Sequence, residues 1–296
     1  MVHIEAGKRR LLPFHHPGDP TYSLVYITES QSEWDQRAVE ESEKSDFRVI
    51  KEVDRITEGT RYLLYRRYDL DHDELDFETL EDLVEWADTQ FSPGVLQVVL
   101  AVARIFRGIL KEKDETGNEL QLYKEIEFEK IETVIQRVEW GQSVVDVGAD
   151  LLSTFIIEHP MPNTNHRTGI GLLDRYLTSI EPGFSMPDTG EEGIWYNWAK
   201  DFIYNSKRVL LLEWKTPLFR FVSQLGYDGV QRKEGIKVFF DDYNLDVGDH
   251  RTHFSKKHHD LCSTFVEEAA MKAGCPDLRS ARDPGMDAFF EALRKN

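Results

Sequence analysis

Residues 143–169 read SVVDVGADLLSTFIIEHPMPNTNHRTG, and the fold turns on this stretch. Val144, Val147, Leu151 and Phe155 recur at i, i+3, i+7 and i+11. That is the apolar stripe of a buried helix. His159 precedes Pro160, and a residue before proline is pushed out of the helical region, so the helix ends there. After a polar turn, Ile170, Leu173, Leu177 and Ile180 mark a second helix, which Pro182 and Gly183 close. Two helices joined by a tight polar turn form the centre of the chain.

The helical pattern extends in both directions. Phe77, Leu80, Leu83, Val84 and Ala87 have helical spacing. Pro93 opens a further helix with Val95, Val98, Val99, Val102, Ile105, Phe106 and Ile109 on its apolar face. Ile131, Val134, Ile135 and Val138 predict another. Between these lies 111–130, with a turn signal at Thr116-Gly117-Asn118 and an alternating run Leu120–Lys124. It reads as a short β-hairpin. Downstream, Pro217 divides the aromatic stretch 194–225 into two expected helices. Its tryptophans, Trp195 to Trp214, read as core. Lys237–Phe240 predicts a short strand, 241–260 a polar connection, and 261–273 and 284–294 the last helices.

Upstream the pattern changes. Residues 1–20 read as an irregular arm, Tyr22–Ile27 as a strand and 28–46 as a surface helix or loop. Phe47–Val53 and Arg61–Tyr68 read as a hairpin about Thr57–Thr60. Asp69, Asp71 and Asp73 have the spacing of a calcium loop, but the sixth position is not glycine and Leu80 stands at the twelfth. That favours a solvated capping loop. The expected organisation is a β-containing region 1–76, a helical domain 77–225 and a helical extension 226–296.

The central turn carries chemistry. A helix N-terminus offers unpaired N–H groups and the positive end of a dipole, which suits phosphate. Asn163, Thr164 and Asn165 can cap it. Arg167 in the first turn opposes the dipole, so its presence needs another reason, and phosphate is one. His159 faces the same place and can take a proton from a hydroxyl. The plainer reading is a helix end, a cap and a solvated arginine.

The run His159-Pro160-Met161-Pro162-Asn163-Thr164-Asn165-His166-Arg167 resembles the HPFx(D/E)GNGR motif of the Fic/Doc family. His159, Pro160, Asn165 and Arg167 carry the match. The resemblance spans about residues 77–225 and is densest over about 143–180. It implies a mainly α, Fic/Doc-like helical core with a β-hairpin flap at 111–124. His159 would be the general base. Asn165 and Arg167 would hold phosphates, with Arg167 stabilising charge in transfer. The backbone from Thr164 through His166 to Arg167 would form the anion cradle. The implied reaction moves AMP, or in Doc the γ-phosphate, from ATP to a Ser, Thr or Tyr hydroxyl of a target protein. Mg²⁺ assists, and an antitoxin is an implied partner.

The departures bear on each role. Met161 replaces phenylalanine, a mild change. Asn163 stands where an acid binds Mg²⁺, and a neutral amide is a weaker ligand for a hard cation. Thr164 replaces a small residue, and His166 stands where Doc has a lysine, so its charge depends on pH. Ile170 occupies the place of a second arginine. The alternative reading is therefore a catalytically degraded Fic-fold module, used for nucleotide binding or protein contact. A third is an unrelated helical protein whose turn is only a cap.

Composition narrows the rest. The 296 residues include 54 acidic and 36 basic side chains, a net charge of −18. Such a field repels nucleic acids. No run of about 18 apolar residues suggests a membrane span. Cys262 and Cys275 make no disulfide framework, so a reducing cytoplasm is expected. His250, His253, His258 and His259, with Cys262, match no zinc spacing. No P-loop, Rossmann or nucleophile-elbow motif occurs.

Overall fold

The computed structural model describes residues 9–44, 47–56, 59–68, 79–117, 120, 122–187 and 198–295. In chain order the elements are β1 (Leu11–Pro13), β2 (His15–His16), β3 (Asp19–Thr28), α1 (Gln31–Ser42), β4 (Phe47–Ile56) and β5 (Gly59–Tyr68). Then come α2 (Leu80–Gln90), α3 (Pro93–Glu115), α4 (Phe128–Arg137), α5 (Val144–Glu158), α6 (Asn165–Ile180) and α7 (Lys200–Gln224). The chain closes with β6 (Gly229–Gln231), β7 (Lys237–Phe239), α8 (His250–Lys272) and α9 (Met286–Arg294). The protein is mainly α. It forms two compact units, Met1–Asp71 with Lys207–Phe254, and His72–Ser206 with Ser255–Asn296. This differs from three consecutive regions, because the divisions fall inside α7 and α8.

The first unit is built on an antiparallel sheet of order β2-β3-β5-β4. Strand alternation sorts β5: Leu63 and Tyr65 enter a cluster with Leu24, Ile27 and Phe219, whereas Leu64 packs with Trp34 and Ala38 of α1. Residues 9–20 of the arm are more ordered than their Pro, Gly and His content predicts. β1 pairs in parallel with β6, and Leu12 is fully buried. Burial of Leu12 and Phe14 supplies the order that local composition lacks.

The second unit contains the predicted helical centre. Ser143 caps α5 by accepting from the Asp146 N–H at 3.1 Å, and Val144, Val147, Leu151 and Phe155 are fully buried. Ser92 caps α3, with Pro93 in the first turn. Thr79 and Asp82 form a capping box on α2. By length and composition alone α3 is apolar enough to cross a membrane. Here Val98, Val99, Val102 and Phe106 are fully buried. Helix α6 approaches α3 closely at Gly171, where a Cβ would lie 2.8 Å from Ile105 Cγ2.

Three further expectations change. Helix α7 runs unbroken through Pro217. Burial of Leu212, Phe219 and Val222 on both sides outweighs the roughly 3 kcal/mol that an interior proline costs. Helix α8 starts at His250, because Phe254, His258 and Cys262 form a buried i, i+4, i+8 stripe that its polar neighbours mask. The flap hairpin is absent among the described residues: 120 and 122–127 form no strand. The acidic run 69–76 lies outside the described residues, as does Trp195. Trp198 stacks on Phe265 at 5.0 Å.

Gly94 seats α3 against α9. A Cβ there would lie 2.1 Å from Phe290 Cδ2, in the ring itself. Gly94→Ala should destabilise the protein by about 1–3 kcal/mol, as overpacking does, despite alanine's better helix propensity. A lower urea midpoint at unchanged slope is the expected result.

Candidate functional site

The reversal between α5 and α6 occupies residues 159–164. His159 ends α5 in the left-handed conformation (φ 52°, ψ 53°), its N–H bonded to Phe155 O at 3.1 Å. Thr164 opens α6 in the same region (φ 55°, ψ 28°). Two left-handed non-glycine residues thus bracket the turn. For β-branched threonine this conformation is a true outlier, and such strain persists only where the surroundings impose it.

The surroundings do impose it. Asn165, 4% exposed, accepts from Met161 N–H at 2.9 Å and donates to Met161 O at 2.8 Å. Its side chain therefore braces the turn from within. The segment 123–127 braces it from outside. Tyr123 N–H donates to Pro162 O at 3.3 Å and Glu127 N–H to Pro160 O at 2.9 Å. Lys124 Nζ donates to His159 O at 2.5 Å and also meets Glu127. Burial, with Lys130 nearby, pushes the Lys124 ammonium down to about 8. This segment docks on the turn through its backbone, although it forms no hairpin.

The other motif residues divide. Asn163 Oδ1 accepts from Thr164 N–H at 2.6 Å. Thr164 provides no side-chain cap to α6. Among the described residues, the buried hydroxyls of Thr164 and Thr168 meet no hydrogen-bond partner. Arg167, mostly buried, pairs with the half-exposed Glu112 of α3. His159 is half-buried at the edge. His166 turns to α7, where its Nε2 lies 2.7 Å from Ser206 Oγ.

His166 joins Ser206 and Ser153, which the sequence did not single out, and His258 of the histidine cluster. Ser206 Oγ lies 2.7 Å from His258 Nε2, and His258 Nδ1 lies 2.8 Å from Ser153 Oγ. Cys262 Sγ is 3.7 Å from the same Nδ1. His258 is fully buried, and desolvation lowers its pKa to about 4, so it is neutral near pH 7. This places the one fully buried member of the histidine cluster between two hydroxyls. His259 instead pairs with Asp150, which raises its pKa. One signal was available: Ser153 is a polar residue inside an apolar helix.

Asn163 directs its amide oxygen to its own loop. Among the described residues no three His, Cys, Asp or Glu side chains gather as a metal-holding group.

Two variants test this account. Asn165→Ala leaves buried Met161 backbone groups without partners and should cost about 1–3 kcal/mol in chemical unfolding. For His258, the unfolded chain titrates near 6.5 and the folded one near 4. The unfolded state then holds more protons between these values, so stability should fall as pH drops from about 6.5 towards 4. His15, lowered to about 3 by burial and by Arg232 and Lys233, adds to the same slope. His258→Gln should therefore flatten the slope only in part.

A family model described as a family of unknown function (DUF8172) matches residues 8–296, and the chain belongs to that family. No curated protein and no solved structure matches it.

Proposed function

We propose that this DUF8172 member binds the phosphate groups of a nucleotide at the N-terminus of α6. In this reading it is a Fic/Doc-like module that has the anion cradle and lacks the magnesium ligand. Thr164 carries the reading. It is a β-branched residue held left-handed at a helix N-terminus, with a buried hydroxyl that meets no partner among the described residues. Strain and an unsatisfied donor together at an anion-favouring helix end support a ligand site. Arg167 supplies the adjacent charge, and Glu112 competes with the ligand for it. Two free cysteines, Cys262 and Cys275, suit a reducing, cytoplasmic setting.

The second reading is transfer of AMP or phosphate from ATP to a Ser, Thr or Tyr hydroxyl of a target protein. The placement of His159 favours it. Its backbone is pinned at both N–H and C=O while its side chain stays half-exposed, as a general base requires. Phosphate held by Arg167 and the helix end would lie beside the incoming hydroxyl, and the imidazole would take that hydroxyl's proton. The neutral amide of Asn163, where the family pattern has an acid, weighs towards binding alone.

Calorimetric titration with ATP tests the first reading. Arg167→Gln should weaken binding roughly 10- to 100-fold, the equivalent of about 1.5–3 kcal/mol for a charged hydrogen bond. Glu112→Gln should tighten it by up to about 5-fold, within the worth of a partly exposed ion pair. Absence of ATP binding to the wild type sinks both readings. Incubation with α- or γ-labelled ATP and cell lysate then separates them. Label on a protein that His159→Ala abolishes supports transfer, and binding without such label supports the module.

A further inference from the structure

Four side chains of the second unit form one hydrogen-bonded row: His166 on α6, Ser206 on α7, His258 on α8 and Ser153 on α5. The three links measure 2.7, 2.7 and 2.8 Å. Ser206 and His258 are fully buried, which denies Ser206 a substrate and so a role as nucleophile. What the row can do is set by its hydrogens. Each hydroxyl donates once, and a neutral imidazole has one N–H donor and one acceptor nitrogen. The row therefore has only two self-consistent directions. In one, Ser153 donates to His258 Nδ1, His258 Nε2–H to Ser206, and Ser206 to His166 Nε2. In the other every hydrogen bond is reversed, and His258 carries its proton on Nδ1.

A doubly protonated His166 permits only the second direction, since its Nε2–H must donate to Ser206. We infer that protonation of His166 fixes the tautomer of buried His258 through the Ser206 hydroxyl, so that an anion bound beside His166 is registered in the core. The first half stands on the row alone, and the second rests on the anion-site reading above. The proton balance is simple. One proton enters at His166. The two hydroxyls rotate, and on local opening of the core His258 gives its Nε2 proton to water and takes one at Nδ1, with no net change.

The surroundings suit this role. His258, with its pKa near 4, stays neutral near pH 7. Cys262 beside it stays a thiol, because burial pushes its pKa well above the usual range. Among the described residues, charged groups on the same helices include Arg167 with its Glu112 partner on α3, and His259 with its Asp150 partner on α5. Linkage makes the coupling reciprocal: an anion that favours charged His166 also favours the Nδ1–H form of His258.

The test is imidazole nitrogen NMR on the ¹⁵N-labelled full chain, titrated from about pH 8 to about pH 5.5, across the ordinary histidine range. His258→Gln identifies the resonances. The Nδ1–H population of His258 should rise with the same midpoint as His166, and Ser206→Ala should abolish the link. A constant His258 tautomer while His166 titrates overturns the inference, as does coupling that survives Ser206→Ala. The wild-type titration decides alone if that variant does not fold. Inorganic phosphate should then raise both midpoints together. If pH coupling holds and phosphate moves neither midpoint, the anion half falls with the binding reading, and the relay stands.

Discussion

The paired hydrogen bonds between the Asn165 amide and the Met161 backbone hold the reversal on which the second unit is organised. Without them the chain would have little reason to accept left-handed geometry at both His159 and Thr164. Two buried helices lead into and out of this turn, and their packing depends on its shape. Gly169 of α6 lies close to Leu152 and Phe155 of α5, so a shift of the turn would disturb a dense apolar contact. The outer brace from 123–127 acts on three carbonyls of the same turn. Strain is thus confined to two residues and offset by satisfied hydrogen bonds around them.

Charge at the turn is local and balanced. The chain as a whole is strongly acidic, yet the motif carries Arg167 and two histidines, and Lys124 docks on the turn. Each cation is engaged by a neighbour: Arg167 by Glu112, Lys124 by Glu127 and a carbonyl. An anion would therefore enter by exchange with a carboxylate. Such an exchange costs less than stripping a buried pair, because Glu112 is half-exposed and retains water.

The polar row beneath the turn follows the same logic in the core. A buried histidine among apolar helices is costly unless both ring nitrogens are satisfied, and here two serine hydroxyls do that. The row also ties α5, α6, α7 and α8 together by direction as well as by contact. The motif imidazole at one end makes that direction sensitive to the chemistry at the turn.

Residue pattern alone determined much of this. The stripe from Val144 to Phe155, the stop at His159-Pro160 and the helix after the turn are local consequences of periodicity and proline geometry. So are the α3 start at Pro93 and the β4–β5 hairpin. Tertiary structure decided whatever depends on a distant partner. Pro217 sits inside a helix because Leu212 and Phe219 are buried on either side of it. Leu12 and Phe14 order an arm rich in turn-forming residues. Asn165 braces where the motif suggested a ligand contact, because Met161 lies within reach once the turn closes. His258, Ser206 and Ser153 are separated by 52 and 105 residues along the chain from their partners, and only packing brings them into one row. Local propensity acts over a few residues, so it predicts elements. Partners of buried polar groups are chosen across the whole chain, and they lie beyond its range.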